Sequence, residues 1–168
     1  MAAGAVGGQP DSARRARRQS AERRVYVKAS PRDVWAALHD PGAVRALFPE
    51  LVLGPPDASW PAAGSVRRGE LRIGLLREAV HVESLEARPQ STFRVAVSGE
   101  GVALEWGWRL EPLAGGTRVI HDGAGETSDR WTGMLVRLGR HSVGSLAEDH
   151  LRALKLRAEA ATALSPSA

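Results

Sequence analysis

Five histidines, at positions 39, 81, 121, 141 and 150, are the chain's main stock of groups that titrate near neutral pH. No two of them stand four apart, and no His-Glu-x-x-His run occurs, so no metal is expected. Cysteine is absent, which removes thiolate nucleophiles, disulfides and Cys-ligated zinc. There is no Gly-x-Ser-x-Gly elbow, and His141-Ser142 are adjacent on a helical pattern and so point apart. Gly123-Ala124-Gly125-Glu126 lacks the third glycine of a phosphate-binding loop and reads as an ordinary loop. What remains is proton transfer and hydrogen bonding. His121 alternates in phase with Thr117 and Val119, which puts it on the inward face of a strand. There it either serves as an acid or base toward a ligand or is satisfied by a neighbouring side chain. Arg68, Glu70 and Arg72 share the opposite phase from Leu71 and Ile73. They read as solvent-facing, or, if the sheet curls, as a charge-paired clamp for a carboxylate or phenolate with Glu78 opposite.

These residues need elements to carry them. Residues 22–160 are read as one domain, long enough for a real core. Val25, Val27 and Ala29 alternate with charged neighbours as a strand does. Ser30-Pro31-Arg32-Asp33 supplies a cap, a first-turn proline and an acid for the helix that follows. Asp40-Pro41-Gly42 ends that helix, and Ala43 to Phe48 forms a second short one. From Leu51 to Thr127 short alternating runs are separated by Gly/Pro turns. Among them, Phe93, Val95 and Val97 share one face, and so do Leu104, Trp106, Trp108 and Leu110. The last segment, from about 129 to 160, is helical. Trp131, Leu135 and Leu138 lie on one side of it, and Val143, Ala147, His150 and Leu154 lie on a side rotated by roughly 120°. Gly139 and Gly144 mark the change of stripe, as a bend or as room for a ligand. The result is an α+β chain: an antiparallel sheet of about seven strands, two short helices and a long C-terminal helix.

Residues 1–21 carry four arginines and one acid and almost nothing that can be buried, so a disordered basic tail is expected, with a flexible end at 161–168. Of the net charge of +4, that tail holds +3, which leaves a nearly neutral domain and argues against nucleic acid as a partner. No apolar run is long enough for a membrane span, and no signal peptide is recognisable, so a cytoplasmic setting is expected.

Three stretches carry a resemblance: Val25 to Trp35, then Asp40-Pro41, then Leu110-Glu111-Pro112-Leu113-Ala114-Gly115-Gly116-Thr117-Arg118-Val119. Together with the element order they resemble the START-like superfamily, the helix-grip proteins that include polyketide cyclases/dehydrases, lipid-transport proteins and pollen allergens. The tryptophan often found a few residues after Asp40-Pro41 is replaced by Ala46-Leu47-Phe48-Pro49. The resemblance implies an apolar cavity between sheet and long helix. Mapped here, its walls are Phe93, Val95, Trp106, Trp108, His121, Trp131, Leu135 and Leu138, with Arg72 and Glu78 as polar candidates. The expected occupant is a small hydrophobic molecule such as a lipid, quinone or aromatic metabolite, with no cofactor. Two other roles stay open: a cyclase, aromatase or dehydratase in which His121, Arg72 and Glu78 move protons, and a protein-interaction module.

Overall fold

The computed structural model describes residues 17–128 and 143–164. The order is β1 (Arg17–Val27), α1 (Pro31–His39), α2 (Pro41–Leu47), β2 (Leu51–Leu53), β3 (Val66–Ile73), β4 (Leu76–Arg88), β5 (Thr92–Ser98), β6 (Val102–Leu113), β7 (Gly116–Thr127) and α3 (Val143–Leu164). The seven strands form one antiparallel sheet in the order β1-β7-β6-β5-β4-β3-β2. β1 therefore crosses the molecule to pair with the last strand, and the strands between follow one another as hairpins. Leu85 interrupts the β4–β5 ladder as a bulge between Ser84 and Glu86, which bends the strand and helps the sheet curl. The concave face grips α3, which packs on β1, β7, α1 and α2.

Local chemistry explains the short helices. Ser30 caps α1, its Oγ accepting from the Asp33 amide at 3.2 Å, and Pro31 occupies the first turn. Asp40 ends α1 and also begins α2, its Oδ1 accepting from the Gly42 amide at 2.9 Å. The expected α2 start at Ala43 thus moves back to Pro41, because proline suits a first turn where its missing N–H costs nothing. Arg157 of α3 pairs with Asp40 and ties both short helices to the long one.

Two segments depart from the sequence reading. Gly123-Ala124-Gly125-Glu126 is strand, not loop, and the two glycines face inward on β7. A Cβ at Gly123 would fall inside the Trp106 ring and one at Gly125 inside the Leu104 side chain, so the glycines are a seat for large residues of β6. Also, β1 begins at Arg17 and not at Glu22. Arg17 to Ala21 pair with Thr127 to Gly123, so the long β7 edge organises a stretch with almost no apolar pattern of its own. Gln19 reaches the interior, where its Oε1 accepts from the Val143 amide at 3.3 Å. Deleting residues 1–20 therefore lowers stability by roughly 1–2 kcal/mol at ~0.5–1.5 kcal/mol net per lost hydrogen bond. That corresponds to about 2–8 °C in Tm for a domain of this size. Scanning calorimetry against a deletion of residues 1–16 checks it. A difference under about 1 °C would mean that the first half of β1 adds nothing to the sheet.

Candidate functional site: an aromatic cavity with a buried proton chain

The inward faces of β3 to β7, with α1, α2 and the start of α3, enclose a cavity of about 80 Å³. A single water needs roughly 10–15 Å³ of such space and a dry cavity of roughly 150 Å³ takes up benzene, so this one has room for a few waters, and a ring enters it as the walls move apart. The lining is mainly apolar, with an aromatic run through its centre. Phe93 stacks on Trp108 at 5.8 Å, and Phe48 meets Trp108 edge-on at 5.5 Å. Trp60 and His39 each meet Phe93 edge-on, at 6.1 and 4.5 Å. Such planar walls suit a flat ligand.

Among the described residues, the polar side chains that line this space are Gln19, His39, Glu50, Arg67 and His150. Arg67 is 8% exposed and has no carboxylate within ion-pair distance among the described residues. One guanidinium nitrogen donates to the Gly54 carbonyl, and the group lies over the Trp60 ring at 5.3 Å. Its Nε–H is buried and has no partner among the described residues. Burial depresses its pKa from the usual arginine value, although a guanidinium stays charged at any ordinary pH. His39 stacks on Trp35 and donates from Nδ1 to the Trp35 carbonyl at 3.0 Å, which leaves Nε2 as a buried acceptor with no partner among the described residues. Burial holds the His39 ring below its usual pKa, the bond to Trp35 opposing in part.

The third polar feature is a chain of three residues. His121 Nδ1 lies 2.7 Å from the Gly107 carbonyl, His121 Nε2 lies 3.1 Å from His150 Nδ1, and His150 Nε2 lies 2.6 Å from Glu50 Oε1. The hydrogens can be placed from the partners. A carbonyl only accepts, so His121 Nδ1 carries a proton. Burial, reinforced by repulsion from His150, pushes the His121 pKa down to about 3, so the ring is neutral and Nε2 is an acceptor. His150 Nδ1 must then donate to it. One further proton lies in the short contact between His150 Nε2 and Glu50 Oε1. The His121 ring is sandwiched between Trp108 at 4.4 Å and Trp106 at 5.1 Å, which fixes its plane. Glu50 Oε2 makes no hydrogen bond among the described residues.

Of the residues singled out in the sequence, Phe93, Val95, Trp106 and Trp108 stand on the cavity wall. His121 lies behind that wall and reaches the cavity only through His150. Arg72 is exposed and paired with Glu70, away from the cavity. Glu78 accepts from the Gly101 amide at 2.6 Å and so braces the β5–β6 turn instead of facing the cavity. Trp131, Leu135 and Leu138 lie outside the described residues. Arg67 had a signal in the sequence: if Arg68, Glu70 and Arg72 face out, residue 67 faces in with Leu71. His150 had its place on the apolar stripe of the last helix, but Glu50, and its pairing with a residue 100 positions away, had no signal.

Residues 18–159 match the model of the polyketide cyclase / dehydrase and lipid transport family. The chain belongs to that family. The domain also superposes on solved structures of the same fold. One is the Zhui aromatase/cyclase of a Streptomyces species, with 16% identity, TM-score 0.64, and coverage of 87% of this chain and 96% of that one. A protein of Thermus thermophilus matches with 22% identity, TM-score 0.61, and coverage of 87% and 99%. A protein of Chromobacterium violaceum matches with 18% identity, TM-score 0.62, and coverage of 84% and 97%. At such identities the likeness shows the fold alone. No curated protein matches the chain. Among the described residues no helix is long and apolar enough to cross a membrane.

Proposed function

We propose that this domain binds a planar, largely apolar molecule of one or two rings that carries an acidic or carbonyl oxygen. The observation that carries the reading is Arg67: a buried guanidinium on the wall of an aromatic cavity, whose Nε–H has no partner among the described residues. A buried donor without an acceptor costs about 1–3 kcal/mol, and more when charged, and a ligand oxygen relieves that cost. The walls supply affinity through apolar contact, and Arg67 supplies orientation, the usual division of labour in a ligand pocket. The unpaired His39 Nε2 adds an acceptor that a ligand hydroxyl satisfies. A carrier and an enzyme both need such a pocket.

Titration with 1-naphthoate and with naphthalene tests this, read by quenching of the cavity tryptophans. Naphthoate binds saturably to the wild type. Arg67→Met weakens it by about 10- to 100-fold, the equivalent of a lost charged hydrogen bond of ~1.5–3 kcal/mol, and leaves naphthalene within threefold. Failure of both compounds to bind the wild type would sink the reading.

A further inference from the structure

The family match and the pocket do not say what the Glu50–His150–His121 chain is for. Stability alone is a poor reason to bury it. A buried ionisable pair gains little over well-packed apolar side chains of similar volume. This one also occupies cavity wall that Phe48, Leu51 and Leu146 already serve with apolar atoms. The arrangement is directional as well. It begins at a backbone carbonyl, passes through a ring clamped between two indoles, and ends at a carboxylate of the cavity lining whose second oxygen makes no hydrogen bond among the described residues.

We propose that Glu50 is a general base for a ligand held in this cavity, with His150 and His121 as its positioning residues. The substrate class is a cyclic or aryl ketone with an acidic C–H beside the carbonyl. The proposal rests on the cavity binding such molecules.

Glu50 Oε2 takes the proton from the α-carbon, and the C–H electron pair becomes the enolate double bond as the carbonyl π pair moves onto oxygen. Glu50 and His150 together then hold three protons where they held two, so their charge rises by one as the ligand's falls by one. The new negative charge lies in the same cavity as the Arg67 guanidinium and the His150 ring, in surroundings with little water to screen it. Return of a proton from Glu50 to carbon or oxygen regenerates the site. His150 fixes the carboxylate by its Oε1, so Oε2 keeps a set direction. His121 fixes His150, because a neutral ring whose Nδ1 is bound to Gly107 offers Nε2 only as an acceptor. Among the described residues, the titratable and charged side chains on the cavity are His39 of α1, Glu50 before β2, Arg67 of β3 and His150 of α3, with His121 of β7 behind.

The test is α-hydrogen exchange of 2-tetralone in D2O, followed by NMR, with binding of the same ketone measured separately by tryptophan quenching. Wild type accelerates exchange. Glu50→Gln keeps an acceptor for His150, binds the ketone within about threefold, and loses about 100-fold or more of the acceleration, the scale of general-base catalysis. Saturable binding with equal exchange in wild type and Glu50→Gln would overturn the proposal and leave the binding reading intact. Absence of binding in the wild type would overturn both. His121→Asn binds the ketone but moves the pH midpoint of exchange by at least half a unit, which a purely structural role would not do. An unmoved midpoint would remove His121 from the chain.

Discussion

Replacing Trp108 with alanine lowers the unfolding free energy by about 3–5 kcal/mol, the range for truncating a buried large aromatic. The side chain is 3% exposed and stands at the junction of three rings: His121 stacked at 4.4 Å, Phe93 stacked at 5.8 Å and Phe48 edge-on at 5.5 Å. Its loss opens a void contiguous with the existing cavity. It also removes one of the two indoles that shield His121. The flanking elements limit how far the site can collapse. Phe93 is held by the β5–β6 ladder, and Phe48 follows α2, whose start is tied to α3 through Asp40 and Arg157. Urea denaturation with an unchanged m-value reads the effect. A cost under 1 kcal/mol would mean that the ring faces open cavity on most sides and that the core does not rest on it.

Acidification from pH 6.5 to 5 lowers stability by roughly 1.6 kcal/mol through His121 alone. The folded pKa of His121, about 3, lies below the unfolded value of 6.5. Between those limits the unfolded chain binds a proton that the folded chain refuses, so stability falls as pH falls, at about 1.4 kcal/mol per unit. Above pH 6.5 the ring is neutral in both states and the contribution is flat; below about pH 3 it levels off again. Burial of His39 acts in the same direction. Stability measured by urea at half-unit steps checks the slope. In His121→Asn the slope attributable to this ring disappears. A wild-type stability constant from pH 7 to 5 would contradict a neutral, buried His121. The same proton bookkeeping underlies the proposed base, since a His121 that charged readily would no longer accept from His150.

Several particular residues show where the sequence suffices. Ser30, Pro31 and Asp40 announce the short helices because caps act within a few residues of themselves. The alternation of Phe93, Val95 and Val97, and of Trp106 and Trp108, announces the inner face of the sheet because a strand's period is two whatever surrounds it. The stripe of Val143, Ala147, His150 and Leu154 is the buried face of α3, again from periodicity alone. Other residues show where it does not suffice. β1 reaches back to Arg17 because a partner strand is present, and nothing in those residues encodes that. Gly123 and Gly125 carry loop-like composition yet lie in a strand, because the Trp106 and Leu104 side chains across the ladder need their space.

Fold class, element order and the aromatic wall were thus settled by the chain's own local chemistry, since periodicity, capping and turn residues act over a few positions. The polar character of the cavity was settled only in three dimensions. His121, His150 and Glu50 come from a strand, a helix and the residue before another strand, and each alone is an unremarkable residue in an apolar context. Their meaning lies in the 2.6 to 3.1 Å contacts between them and in the burial that forces a single arrangement of protons, and both arise only when the sheet closes on the helix.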